Sequence, residues 1–367
     1  MKRAREFLLL VALLVSALAI LSGGRTAATG AVFVDNAPVG GNTFTTANCF
    51  SRWWWNGAYR YRQRVTVTTG TAAVTSGYSV QLNLNHAQLV QQGKSLASGD
   101  DLRLLYWNQG NCNWSELDRV LGDGSSWNST TTRFWFKLQN GIAANSSDDN
   151  YYVYYGNASA TNPPANRSNV YLFWDDFESY SLGSNGSPNW SPGAACWSVV
   201  DDGGNKVYRG SSSGRCGSMV SGVWIENAVY EARYKRVTTD SNDSGLPFRA
   251  TDLSVSAIDT YVAQLRGNEN VAAIVEYNTG SWGGILNSTS FTVTVGQWYN
   301  LRVRYMGTNF ELFVDDVLRV TASDPTKTIG GVGVFVWNGR GYFDDVKTRK
   351  YTQPEPTVSV GAEESAP

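Results

Sequence analysis

Charge is scarce in this sequence: Asp, Glu, Lys and Arg make up 17% of its 367 residues and nearly cancel, leaving a formal net charge of -1. So even a balance supplies no long-range field to gather phosphates, which removes the electrostatic basis for nucleic-acid binding. Arg60, Arg62 and Arg64 form a local stripe only. Histidine occurs once, as His86, so sites built on several imidazoles are excluded. The four cysteines lack the spacing of about two to four residues that marks zinc ligands. No glycine loop able to cradle a phosphate precedes a helix, and residues 171–351 carry no 3.6-residue hydrophobic period, which excludes long helices there. Beyond residue 21 no apolar run reaches the roughly 20 residues that span a bilayer.

What is abundant is glycine (37 residues) together with 14 Trp, 19 Tyr and 14 Phe, the composition of turn-rich β-structure. The length suits about two domains. At the N-terminus Lys2, Arg3 and Arg5 precede an apolar run from Phe7 to Leu21 and then small residues, the three regions of a secretory signal peptide, expected over 1–30. A polar leader follows at 31–50. Export puts the four cysteines in an oxidising compartment, where they allow three pairings. Cys49 and Cys112 fall in one half and Cys196 and Cys216 in the other, so those two pairs are expected. The membrane would then be touched only through an uncleaved signal segment.

Residues 51–162 read as one β-domain. In FSRWWWNGAYRYRQRVTVTT, Tyr59, Tyr61, Val65 and Val67 alternate with Arg60, Arg62, Arg64 and Thr66, the period of a half-buried strand. Further strands are expected at YSVQLNL, DLRLLYW, TRFWFKLQ and NYYVYYGN, with one short helix in HAQLVQQGKSLAS. Prolines and small polar residues mark a linker at 163–170. About ten strands follow over 171–351, favouring a two-sheet sandwich, and 352–367 reads as a tail.

The elements WWWNGAYRYRQRVTV, GYSVQLNL, GDDLRLLYW, RFWFKL and NYYVYYGN, in that order, resemble the family called domain of unknown function 2341. The resemblance covers 54–162 and implies an exported β-sandwich module without established activity, its tryptophans and tyrosines mainly packed. FWDDFES, SGLPFRATD, YVAQLR, GQWYNLRVRYMGTNFELFVDDVLRV and GYFDDVKTRKY resemble the concanavalin A-like lectin/glucanase superfamily, which implies a jelly roll over 171–351. The SGLPFR and YVAQL strings are similar to its keto-disaccharide hydrolase branch, although Val262 stands where an acidic residue commonly follows the tyrosine. The fold expected is therefore all-β, two sandwiches in tandem.

Retaining glycosidases need two carboxylates about 5 Å apart. The Glu-x-Asp-x-x-Glu strand that supplies them in laminarinase-like relatives is missing, and Asp175-Asp176, Asp315-Asp316 and Asp344-Asp345 are neighbours that point to opposite faces. A lyase would have to centre on Tyr261 with Gln264 and Arg249. Sugar binding asks less: aromatic faces and planar hydrogen-bonding groups in a hollow. Arg249, Gln264 and Arg266 are the favoured polar groups, with Tyr261, Trp282 and Trp337 as aromatic candidates. Segments 179–195 and 279–290 are candidate covering loops. Asp176, Glu178 and Asp345 could hold a structural calcium, though an Asp176–Lys347 ion pair is the preferred account; no other cofactor is expected.

The leading expectation is thus a non-catalytic carbohydrate-binding or adhesion protein, exported or at the cell surface, with polysaccharide or cell-surface glycan as partner and other surface proteins as further partners. The alternatives are a polysaccharide hydrolase or lyase using the same groove, and a structural fibre subunit with an open strand edge.

Overall fold

The computed structural model describes residue 49 and residues 52–240 and 243–367. The expected signal peptide and all of the leader except Cys49 lie outside the described residues. Two compact units make up the chain. The first comprises residues 1–53 with 109–112, and in its described part Cys49 is disulfide-bonded to Cys112. The second comprises 54–108 and 113–367 and contains two β-sandwiches.

The N-terminal sandwich contains β1 (Tyr61–Thr68), β2 (Ser79–Leu84), helix α1 (His86–Gln91), β3 (Arg103–Asn108), β4 (Asn113–Leu117), β5 (Val120–Leu121), β6 (Thr132–Lys137) and β7 (Ser147–Tyr155). Strand alternation sends Val65, Val67, Leu104, Tyr151 and Val153 inward, where they meet Val80, Leu82, Phe134 and Phe136 of the β2–β6–β5 sheet. The other face of β1 is covered too. Trp54 and Trp55 lie edge-on to Tyr154 at 5.2 and 5.7 Å, and the Arg62 guanidinium is 4.8 Å from the ring centres of both Trp54 and Tyr152. The tryptophan-rich opening is therefore packing. Tyr59 joins this outer cluster rather than the inner one, because a turn at Asn56–Tyr59 precedes the strand and breaks the alternation.

The C-terminal sandwich runs through β8 (Phe173–Asp175), β9 (Trp190–Pro192), β10 (Trp197–Asp201), β11 (Lys206–Val220), β12 (Ala228–Arg236), β13 (Asp243–Asp252), β14 (Asp259–Arg266), β15 (Val271–Asn278), β16 (Ser281–Ser290), β17 (Trp298–Met306), β18 (Asn309–Val314), β19 (Val317–Ser323) and β20 (Gly331–Lys350). β20 is shared between layers: its first half lies between β13 and β11, and its second half pairs with β12 and β8. A large core including Tyr230, Phe248, Tyr261, Leu301, Phe310 and Phe343 separates the layers, giving a jelly roll. Cys196 and Cys216 are disulfide-bonded. Residues 279–290, expected as a covering loop, are largely β16, which pairs with β15; its glycine- and serine-rich sequence hides the strand.

After β20 the chain returns to the first sandwich. The expected tail contains β21 (Thr357–Ser365), antiparallel to β1 from Tyr61↔Ser365 to Thr68↔Thr357. Val358 and Val360 pack on the N-terminal core, while Glu363 accepts from Lys94 at 2.6 Å and from Tyr155 at 2.8 Å. Alternation in Thr-Val-Ser-Val supports the strand, but too few apolar residues carry it to stand out. The jelly roll is consequently an insertion between two strands of one sheet. The linker at 163–170 is also packed: Arg119 N–H donates to Pro164 O, and Val170 is buried with Val120 and Tyr171.

Candidate functional site

Cross-strand register builds the site. Arg215 on β11 is opposite Trp337 on β20, Trp337 is opposite Asp243 on β13, and Asp243 is opposite Arg266 on β14. Residues paired in this way share a face, so four strands contribute one transverse row. Two residues along β14, Gln264 lies in a second row with Gly245, Phe335 and Gly217. The β15–β16 hairpin curls towards the first row: Tyr277 packs on Phe335 at 5.6 Å and on Trp282 at 5.2 Å, and the Arg215 Nη1–H donates to Gly280 O at 2.7 Å.

Arg215, Arg266, Tyr277, Trp282 and Trp337 wall a cleft of about 560 Å³, with Glu269 and Ile285 at its margin, while Asp243 and Gln264 are buried behind it. Trp282 and Trp337 remain 46% and 38% exposed. Beneath them Arg266 is gripped by Glu269, through Nε–Oε2 at 2.8 Å and a second, shorter bond from Nη2, and stands 3.4 Å from Asp243. Burial pushes the Asp243 carboxyl up to about 6; Arg266 opposes the push and Glu269 adds to it. Burial likewise raises the Tyr277 phenol, so its hydroxyl stays protonated. Flat aromatic faces beside a guanidinium, a carboxylate and a phenol suit the two faces of a sugar, its C–H surface and its hydroxyls.

Of the six ligand candidates, Arg266, Trp282 and Trp337 meet in this cleft. Gln264 shares the face but is fully buried, and neither amide atom has a hydrogen-bond partner in the protein. Tyr261 points the other way, as alternation requires, with its ring 5.5 Å from Phe248 and its hydroxyl bonded to Asp324. Arg249 is also interior, 1% exposed, donating to the carbonyls of Glu226, Gly307 and Lys327 at 2.6 to 3.2 Å. The register shift between Phe248 and Ala250 turns Arg249 away from the face that Gln264 and Arg266 share, so it does not join them as the resemblance implied. A lyase centred on Tyr261 and Arg249 is not assembled. Arg215, Glu269 and Tyr277 were missed; their sequence neighbours give no signal, since a bulge, a turn and a curled hairpin bring them in.

The proposed calcium ligands are scattered. β8 ends at Asp175, so Asp176 lies beyond the pairing and caps Glu178 N–H, Glu178 accepts from Lys206 N–H, and Asp345 faces Arg233 at 3.4 Å. Among the described residues no three His, Cys, Asp or Glu side chains gather closely enough to hold a metal. Lys347 bonds Asp123 and approaches Glu231 at 3.7 Å, rather than pairing with Asp176. It helps line a second cavity of about 460 Å³ between the sandwiches, where Arg302 is likewise paired, with Asp316.

Two serine arrangements imitate catalytic ones. Gly210-Ser211-Ser212-Ser213-Gly214 matches Gly-x-Ser-x-Gly in letters but lies inside β11, with no helix after it to form a nucleophile elbow. His86 Nδ1 accepts from Asn128 N–H, so Nε2 faces Ser95 Oγ as donor, and Ser95 in turn donates to Asp101. The order is reversed from that of a base activating a serine. This buried chain is structural.

The fold defines an antiparallel jelly roll inserted in a smaller sandwich. Residues 173–349 match the family model described as a 3-keto-alpha-glucoside-1,2-lyase-like domain. Residues 124–193 match the domain of unknown function 2341; that stretch includes RFWFKL and NYYVYYGN but not the tryptophan-rich opening, and runs on past the linker. Among solved structures, a carbohydrate-binding module, CBM66, from Bacillus subtilis is similar at 19% identity and TM-score 0.40, over 44% of this chain and 96% of that one. A β-glucanase from Bacillus licheniformis is similar at 15% identity and TM-score 0.35, over 49% and 98%. No curated protein matches the sequence. The two disulfides fit an extracytoplasmic location. Among the described residues no helix is long and apolar enough to cross a membrane.

Proposed function

We propose that this chain is an exported or cell-surface glycan-binding protein, holding sugar in the cleft between Trp282 and Trp337 while the N-terminal sandwich serves as spacer or docking module. The observation that carries this reading is the pair of half-exposed tryptophans standing over Arg266, Glu269 and Tyr277 in one hollow. Large aromatic surface left open beside ordered polar groups is costly in an inert wall and useful in a sugar site. A glycan array probed with the full chain, and with Trp337→Ala and Trp282→Ala, tests it. Binding by the parent that both variants lose is the expected result; a parent that binds no glycan ends the reading.

A second reading, glycan cleavage in the same cleft, is favoured by one observation. Asp243 is a carboxyl held near pH 6 by burial, as in general acids, and it shares Arg266 with the carboxylate of Glu269. Release of reducing ends or unsaturated products from a polysaccharide panel, lost in Asp243→Asn, would establish it.

A further inference from the structure

The charges of the cleft are unevenly matched. Arg266 is held by Glu269 through two bonds and has Asp243 at 3.4 Å, so two carboxylates answer one guanidinium. Arg215 has no ion pair with any carboxylate among the described residues. The single hydrogen bond of its side chain among the described residues is the one from Nη1 to Gly280 O, and its guanidinium carbon lies 5.6 Å from the Tyr277 ring centre. Other exposed or half-buried arginines of this sandwich are ion-paired, Arg302 with Asp316, Arg304 with Glu311 and Arg233 with Asp344 and Asp345, while the buried Arg249 is answered by four hydrogen bonds to backbone carbonyls; Arg215 has neither a carboxylate nor such a set of acceptors.

An arginine fork matches an oxyanion in two hydrogen bonds and holds its charge at every relevant pH. Covering Arg215 with a neutral sugar would bury that charge against an aromatic wall without a counter-charge, which is unfavourable. With a net charge of -1 the protein has no general attraction for polyanions, so any preference must arise locally.

The geometry points to an acidic glycan as the ligand: a sugar whose carboxylate or sulfate meets Arg215 while its ring stacks on Trp337, the residue opposite Arg215 in the sheet. This inference rests on the proposed glycan site.

The experiment is calorimetric titration of the full chain with matched pairs: polygalacturonate against its methyl ester, and dextran sulfate against dextran. Arg215→Gln and Arg215→Lys are titrated alongside, their folding checked by thermal unfolding. Charge-assisted hydrogen bonds predict a loss of roughly 10- to 100-fold in Arg215→Gln, with a smaller loss in Arg215→Lys, which keeps the charge but not the fork. Binding of polygalacturonate alone assigns a carboxylate, and binding of dextran sulfate alone assigns a sulfate. Equal affinity for charged and neutral partners, or an unchanged Arg215→Gln, overturns the acidic ligand and leaves the glycan site standing. Failure of every glycan, neutral ones included, overturns both.

Discussion

In the N-terminal sandwich the Arg62 guanidinium is stacked between Trp54 and Tyr152, bonded to Tyr154 and paired with Glu364 at 2.7 Å. In the C-terminal sandwich Arg215 lies in a row with Trp337 and near Tyr277, yet no carboxylate of the described residues meets it. Residue types alone cannot separate the two settings. What separates them is whether the chain supplies its own covering: Trp54, Trp55 and β21 close over the first aromatic face, whereas Trp282 and Trp337 leave the second open. Aromatic and arginine residues become a binding surface where folding leaves them incompletely matched.

Removing residues 352–367 should break the comparison most severely. It takes an edge strand, two core-contacting valines and the Glu363 and Glu364 pairs from the N-terminal sandwich. The expected cost is on the order of 5 kcal/mol, comparable to the whole stability of a small domain. Hydrogen exchange should then show residues 61–155 unprotected while glycan still binds the jelly roll.

Paired tryptophan substitutions sharpen the contrast. Trp54→Ala should cost about 2 kcal/mol of stability, through lost packing on Tyr154 and Arg62, and leave glycan affinity unchanged. Trp337→Ala should do the reverse, with stability moving by no more than about 0.5 kcal/mol and affinity falling by about 30-fold. Thermal unfolding and titration of both variants check the pair; equal stability losses would dissolve the distinction.

The smallest effect expected is opposite pH dependence. Burial lowers the pKa of His86 in the N-terminal sandwich below 6.5, and the nearby Asp101 only partly offsets this. Unfolded chain therefore binds more protons there, and stability present above about pH 6.5 is lost as pH falls. In the jelly roll, burial raises the carboxyls of Asp243 and Asp344 to about 6, with repulsion from Asp345 adding to the second. The folded state holds those protons longer, so their contribution is complete below about pH 4 and lost as pH rises through 6. From pH 6.5 to 4 exchange protection should fall around His86 and rise around β13 and the second half of β20. His86→Gln should flatten the first trend and Asp344→Asn weaken the second.

Much of this architecture is legible from local pattern. Alternation in residues 61–67 marks β1, FWDDFES and GYFDDVKTRKY become the adjacent β8 and β20, and the even split of cysteines predicts both disulfides. Alternation in YVAQLR also separates Tyr261 from Gln264 and Arg266 correctly, because β14 has no bulge. Arg249, which the resemblance groups with them, faces the interior because β13 does have one. β21 escaped notice because its pairing partner lies nearly 300 residues away, and a short polar strand gains its stability from that partner rather than from its own composition.

The sequence by itself determined the composition, the alternation and the turns, and with them two all-β sandwiches and their disulfides, since these depend on period and near-neighbour chemistry. Only the tertiary structure decided which aromatic residues stay uncovered, that Arg215 stands beside them without a carboxylate, and which strand closes the first sheet. Those outcomes depend on register between distant strands, where one bulge reverses a side chain's face and one returning segment covers or exposes an entire row.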